Sequence, residues 1–243
     1  MHHIIITDNR SFSLNNPQDL YLWHQLPMKE RDYVEKCRLL SERQRRMSVR
    51  LLLLKGLKYL LPDIQGELIK LPSGKPCFNG AEGLSISFTH SGNLSAVAIT
   101  DKGEVGLDIE KVSSMNEDLL TPYMTNEELR VLSTLNTKEE KQRYLVQIWT
   151  GKEACSKWLG VGLAQPLNSM DVGVANGIVK IGFPKSQTTL TLQSFTGKNY
   201  GLSVVFPLNL GTMDFIYYAP WYDSEQCTWQ PYHDPSSLLN EIL

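Results

Sequence analysis

The sequence has no apolar run near the ~20 residues needed to span a bilayer; its longest obvious one is Leu51–Leu54. At the amino terminus, Met1, His2, His3 and three isoleucines lead straight into Thr7 and Asp8. There is no basic lead and no long apolar core, which predicts no secretory signal and a cytoplasmic protein. Four cysteines (Cys37, Cys77, Cys155, Cys227) stand far apart with no Cys-x-x-Cys pair. That spacing suits neither a disulfide framework nor a zinc site, and the isolated histidines supply no second soft ligand. Net charge is also scarce: 24 Lys and Arg against 26 Asp and Glu leave −2, with 42% hydrophobic residues, so general disorder is excluded. Missing too are a Gly-x-x-x-x-Gly-Lys-Ser/Thr phosphate loop, a Rossmann fingerprint and a Gly-x-Ser-x-Gly nucleophile elbow.

What is present is a chain of 243 residues, enough for one large domain or two small ones with a sizeable core. The near-zero balance hides an asymmetry. Residues 29–58 carry ten Lys or Arg against four acids, whereas from Pro207 onward there is no Lys or Arg and there are five acids. Arg46 and Arg50 recur at helical spacing with Val49, Leu53, Leu57 and Leu60, so part of the basic stretch is an amphipathic helix with guanidinium groups on one side. A charge run is usually a solvated helix face; the shortage of interleaved acids leans this one towards binding an anion. Neither aromatic interleaving nor an overall basic excess supports nucleic acid.

Two halves look alike in plan. Helical sequence over 29–61 is followed by a Pro/Gly turn at 71–76 and by alternating strands at 84–89, 94–100 and 105–110. In the second half, Thr125 and Glu128 form a capping-box pattern, a helix covers 138–159, and strands follow near 170–174, 178–183, 190–195 and 200–206. Helix followed by antiparallel strands, twice over, predicts an α+β fold: a pseudo-twofold arrangement of two similar helix-plus-antiparallel-sheet lobes. The expected boundaries are 1–112, 113–206, and an aromatic, proline-rich extension over 207–243.

Three segments carry candidate chemistry. In Gly106-Leu107-Asp108-Ile109-Glu110, Asp108 and Glu110 lie two apart in a strand, share a face, and can share one hard cation. The ordinary alternative for Asp-x-Glu is solvated strand surface. In the segment from Trp149 to Lys157, Trp149, Glu153 and Lys157 fall on one helix face. Alone this is a Glu-Lys surface pair beside a packed tryptophan. With the other two acids, a third carboxylate next to a lysine is what magnesium-assisted phosphoryl transfer needs. In Phe88-Thr89-His90-Ser91-Gly92, His90 is either a satisfied structural histidine or a phosphate contact.

Read in order, Gly74-Lys75-Pro76, Phe88-Thr89-His90-Ser91, Gly106-Leu107-Asp108-Ile109-Glu110 and Trp149-x-x-Lys152-Glu153-Ala154-x-x-Lys157 resemble the Sfp-type 4′-phosphopantetheinyl transferases. The resemblance extends from about residue 36 to residue 167, including Gly162-Leu163 and Pro166-Leu167. It implies two lobes with coenzyme A in the cleft between them. Position by position, it implies Asp108, Glu110 and Glu153 as magnesium ligands, Lys157 at the pyrophosphate and His90 at a coenzyme phosphate. Gly74, Lys75, Pro76 and Thr89 then fall at the adenine nucleotide, and Lys36 and Arg46 at the 3′-phosphate. Glu153, Lys157 and His90 are the implied catalytic residues.

The implied reaction is magnesium-dependent transfer of the 4′-phosphopantetheine arm of coenzyme A to a serine of an acyl or peptidyl carrier protein, releasing 3′,5′-ADP. Glu153 or a water on the metal is the candidate base for the serine proton. A monomer with no nucleic-acid or membrane partner is expected. The alternatives are a magnesium-dependent coenzyme A hydrolase and a non-catalytic module that binds coenzyme A or a carrier protein.

Overall fold

The computed structural model describes residues 1–160, 166–172, 176–182, 187–208, 213–220, 227–232 and 235–241. The chain opens with β1 (His2–Asp8), α1 (Pro17–Gln25), α2 (Met28–Glu35) and the long α3 (Leu40–Leu60). A hairpin of β2 (Glu67–Lys70) and β3 (Pro76–Asn79) follows, then β4 (Ser85–Ser91) and β5 (Leu94–Thr100). Next come β6 (Gly106–Lys111), α4 (Glu117–Leu120), α5 (Asn126–Thr134), the long α6 (Lys138–Leu159), β7 (Asn176–Gly182), β8 (Gln187–Thr196) and β9 (Tyr200–Pro207). The chain closes with β10 (Asp214–Pro220), β11 (Cys227–Tyr232) and α7 (Pro235–Glu241). The fold is α+β, and no described helix is long and apolar enough to cross a membrane.

Two compact units result, residues 1–103 with 213–233 and residues 104–212 with 234–243. In the first, a five-stranded sheet has the order β11-β10-β1-β5-β4. Every residue of β5, which lies between β1 and β4 inside the sheet, is buried. The Leu51–Leu54 run of α3 is buried in the core with Ile5, Val97 and Ile99. Helix and sheet approach so closely at Gly56 that an added Cβ would stand 2.5 Å from Ile5 Cδ1. The proline-rich tail contributes here: β10 pairs in parallel with β1, Ile4 opposite Phe215, and β11 pairs with β10. Tyr218 is only 1% exposed, so tail residues are part of this core.

In the second unit a four-stranded antiparallel sheet, β6-β9-β8-β7, carries α6 on one face. Helix α6 is specified at both ends. Thr137 and Glu140 form a capping box, Glu139 and Glu140 sit in the first turn and Lys157 in the last, and Gly160 ends the helix in the left-handed conformation (φ 69°). Its sheet-facing side is made of small groups. Thr150 hydrogen-bonds Ser203 (2.7 Å), Gly201 lies under Val146, and Gly106 lies under Ala154.

The expected strand near 170–174 is not formed over its described residues. Leu167–Ser169 make a 3-10 turn, and Met170 to Val172 run on without a strand partner; residues 173 and 174 lie outside the described residues. The reason is local. The carbonyls of Leu167 and Met170 accept from Lys152 Nζ, and Val172 N–H donates to the Glu128 carboxylate (2.9 Å), so the backbone groups are committed to a buried ion pair.

Candidate functional site

The candidate residues fall into one cluster in each unit, and each is described by itself. In the second unit, β6 alternates apolar and acidic side chains. Leu107 and Ile109 are fully buried, and Asp108 and Glu110 share the other face. The strand is drawn close to α6 at Gly106, where a Cβ would meet Ala154 O at 1.9 Å and Trp158 N at 2.6 Å. Only glycine allows this approach, which sets Asp108 beside the last two turns of α6. Lys157 Nζ donates to Asp108 Oδ1 at 2.6 Å, with Asp108 nearly buried and Lys157 partly exposed. Trp149, on the same helix, meets Tyr123 edge to face at 5.8 Å between ring centroids.

Glu153 feels both strand acids. Its burial and the negative charge of Asp108 push its carboxyl up to about 7 against the pull of Lys157, and Glu110 adds to the rise. A carboxyl raised by two neighbouring acids belongs to a donor set suited to a small hard cation, whose charge would relieve the repulsion. The fit is one of chemistry. Among the described residues no three His, Cys, Asp or Glu side chains already stand as a metal cage, and Lys157 holds one oxygen of Asp108.

Lys152 and Glu153 are neighbours in the sequence and have separate surroundings. Lys152 is fully buried and paired with the fully buried Glu128 at 2.8 Å; its remaining protons go to the Leu167 and Met170 carbonyls. Glu128 also closes the capping box of α5 on Thr125. Lys152 is therefore a clamp for α5, α6 and the 167–172 segment. Cys155, behind it, is a buried thiol pushed up to about 12 by desolvation and has no nucleophilic character.

In the first unit, His90 lies on β4 with its Nε2 3.9 Å from Glu42 Oε1. Glu42 accepts from Arg46 Nε (2.7 Å) and Arg45 Nε (3.0 Å), and the Arg46 guanidinium stacks over Tyr33, 4.6 Å from the ring centroid. Burial works to raise the Glu42 carboxyl, but the two arginine hydrogen bonds and His90 outweigh it and hold it below its ordinary value. The same bond raises Arg46. Sequence reasoning found Arg46 and His90 and missed Glu42, which orients them; its spacing of four before Arg46 was the available signal. Thr89 is buried in β4. Lys36 is exposed just beyond α2. Gly74 (φ 88°) turns the β2–β3 hairpin, placing Lys75 at the turn and Pro76 at the start of β3.

With this geometry in view, residues 104–205 match the 4′-phosphopantetheinyl transferase superfamily. The matched residues include Asp108, Glu110, Glu153 and Lys157. Among curated proteins, the 4′-phosphopantetheinyl transferase Sfp of Bacillus subtilis (strain 168) is 28% identical over 123 residues, 50% of this chain and 54% of Sfp. The 4′-phosphopantetheinyl transferase HetI of Nostoc sp. is 32% identical over 97 residues, 38% of this chain and 40% of HetI. The chain thus spans about half the length of the first curated relatives it matches. The solved holo-[acyl-carrier-protein] synthase of Thermotoga maritima shows a slight likeness, with 15% identity, a TM-score of 0.31, and coverage of 42% of this chain and 60% of that one.

Proposed function

We propose that the protein transfers the 4′-phosphopantetheine group of coenzyme A to a serine hydroxyl of an acyl or peptidyl carrier protein, with magnesium, releasing 3′,5′-ADP. The observation that carries this reading is the acid cluster of β6 and α6, with Lys157 on Asp108, inside the residues that match the superfamily. Asp108, Glu110 and Glu153 are the residues that would hold the magnesium ion. When bound, the ion supplies positive charge to the coenzyme pyrophosphate.

The chain's own residues do the rest. Lys157 neutralises charge as it develops on the departing phosphate. Glu153, held as a carboxylate once positive charge has relieved the repulsion of Asp108 and Glu110, is the acceptor for the proton of the attacking serine. Arg46 and His90, steadied by Glu42, offer positive groups to a coenzyme phosphate, with Lys36 and Thr89 as further contacts and the Gly74-Lys75-Pro76 turn at the adenine nucleotide. The same reading takes the fold as two related lobes, each laying one long helix, α3 or α6, on a sheet.

The test is intact-mass spectrometry of an apo carrier protein incubated with this protein, coenzyme A and magnesium. A gain of one phosphopantetheine, abolished by EDTA, is expected. Coenzyme A cleaved without carrier modification would replace the reading with a hydrolase, and coenzyme A bound with no turnover on several carriers would replace it with a binding module.

A further inference from the structure

The first unit contains a cavity of about 530 Å³ lined by none of the residues assigned to transfer. It lies where α1 and α3 meet the tail strands, and its lining falls outside residues 104–205. Tyr59 of α3 stacks on Trp229 of β11, with 4.2 Å between ring centroids and 15° between planes. Tyr218 of β10 leans on the same tryptophan at 4.7 Å. Tyr21 of α1, 62% exposed, stands at the mouth. Aromatic faces arranged in this way offer stacking and edge contacts to a flat ring system.

Two lysines one turn apart on α3 enter the cavity, and they differ. Lys55 is matched inside the protein: its Nζ lies 2.9 Å from Asp19 Oδ1 and donates to the Tyr218 hydroxyl at 2.9 Å. Lys58 is exposed, with its Nζ over the Tyr21 ring at 5.0 Å, and among the described residues no carboxylate lies within ion-pair distance of it. Among the described residues, none of those lining the cavity is acidic. The site therefore combines an aromatic wall, a volume in the range of small-molecule pockets, and an exposed cation at the rim with no carboxylate partner among the described residues.

We propose that this cavity is a second ligand site, separate from the coenzyme and carrier chemistry, for a small planar aromatic anion: a fused or substituted arene bearing a carboxylate or sulfonate. The ring lies against Tyr59 and Trp229, and the anionic group meets Lys58. The site does not depend on the transferase reading, since its residues stand apart from those assigned to transfer.

The probe is 2-naphthoate, titrated calorimetrically into the full chain, with naphthalen-2-ylmethanol as its neutral counterpart. The expected result is binding of naphthoate, about tenfold weaker binding of the alcohol, and about tenfold weakening of naphthoate by Lys58→Gln, the loss of one charge-assisted contact. Lys58→Gln leaves the alcohol unchanged, and Trp229→Leu weakens both probes. Lys58 is exposed, so its substitution leaves the fold intact, and the comparison of the two probes on the unaltered chain needs no variant. Saturating coenzyme A leaves naphthoate bound. No heat of binding up to about 5 mM naphthoate would overturn the proposal. So would equal affinity for acid and alcohol, indifference to both substitutions, or displacement by coenzyme A, which would assign the binding to the coenzyme site.

Discussion

Each unit buries one cation from the middle of its long helix against a glutamate on a preceding short helix, and the two pairs are built differently. In the first unit, Arg50 of α3 meets Glu30 of α2 at 2.6 Å; it also donates to the Arg46 carbonyl and lies over the rings of Tyr33 (5.0 Å) and Phe88 (5.5 Å). Glu30 has a second cation, Lys70, at 3.4 Å and 40% exposed. In the second unit, Lys152 and Glu128 are both fully buried, and all other contacts of the ammonium are backbone carbonyls. A planar guanidinium spreads its charge over aromatic faces, while a compact ammonium needs an acceptor for each proton. The first pair has a spare, partly exposed cation in Lys70; the ammonium of the second is completed by backbone carbonyls.

Lys152→Met should have the largest effect on stability. Removing one partner leaves Glu128 as a buried, uncompensated charge, with a loss of about 3–5 kcal/mol in urea unfolding. Replacing Glu128 by leucine in the same chain should recover only part of that loss: the buried charge is gone, but the Thr125 and Val172 N–H groups and the Leu167 and Met170 carbonyls lose their partners. A single Lys152→Met that unfolds like the parent would remove the contrast between the two units.

The next effect is one of pH, and it comes from the residue beside that clamp. Glu153 ionises at about 7 when folded against an ordinary 4.5. The folded state holds this proton more tightly, so its contribution to stability is fully present below about 4.5 and is lost as pH rises through about 7. In EDTA, the unfolding free energy should fall by up to about 3 kcal/mol across that window, since each tenfold difference in proton affinity between the folded and unfolded chain is worth about 1.4 kcal/mol. Glu153→Gln should flatten the fall. A metal-free protein whose stability rises over the same window would contradict the cluster of like charges.

Arg50→Met comes last, at about 2 kcal/mol, less than the usual cost of a broken buried pair because Lys70 remains to neutralise Glu30. Losing Lys70 as well should bring the cost up to that of Lys152→Met, measured by the same unfolding series.

Some of this contrast is visible in the sequence and some is not. Periodicity placed α3 and α6, and the Thr125–Glu128 box was readable from spacing alone. So was the alternation that sets Asp108 and Glu110 on one face of β6. The clamp was not, because Lys152 and Glu153 read as one motif. On a helix, successive side chains are about 100° apart, so one turned into the core and the next towards the acids. Glu128 showed its capping role, while its partner lies 24 positions away (128 to 152) and leaves no local pattern. Gly106 stood in the quoted motif, yet only the approach of Ala154 O explains it. The tail's aromatics were visible, but pairing of β10 with β1 joins residues some 210 positions apart, a long-range contact that no window of sequence displays.

Of these two neighbours on α6, the proposed function assigns Glu153 to chemistry, and the buried pair with Glu128 assigns Lys152 to the fold. Glu153→Gln, assayed for carrier modification with magnesium and for urea unfolding at neutral pH, separates the two roles in one variant. It should be as stable as the parent or more so, with turnover lower by a factor of about 10² or more. Full turnover, or a loss of activity accompanied by an equal loss of stability, would contradict the division.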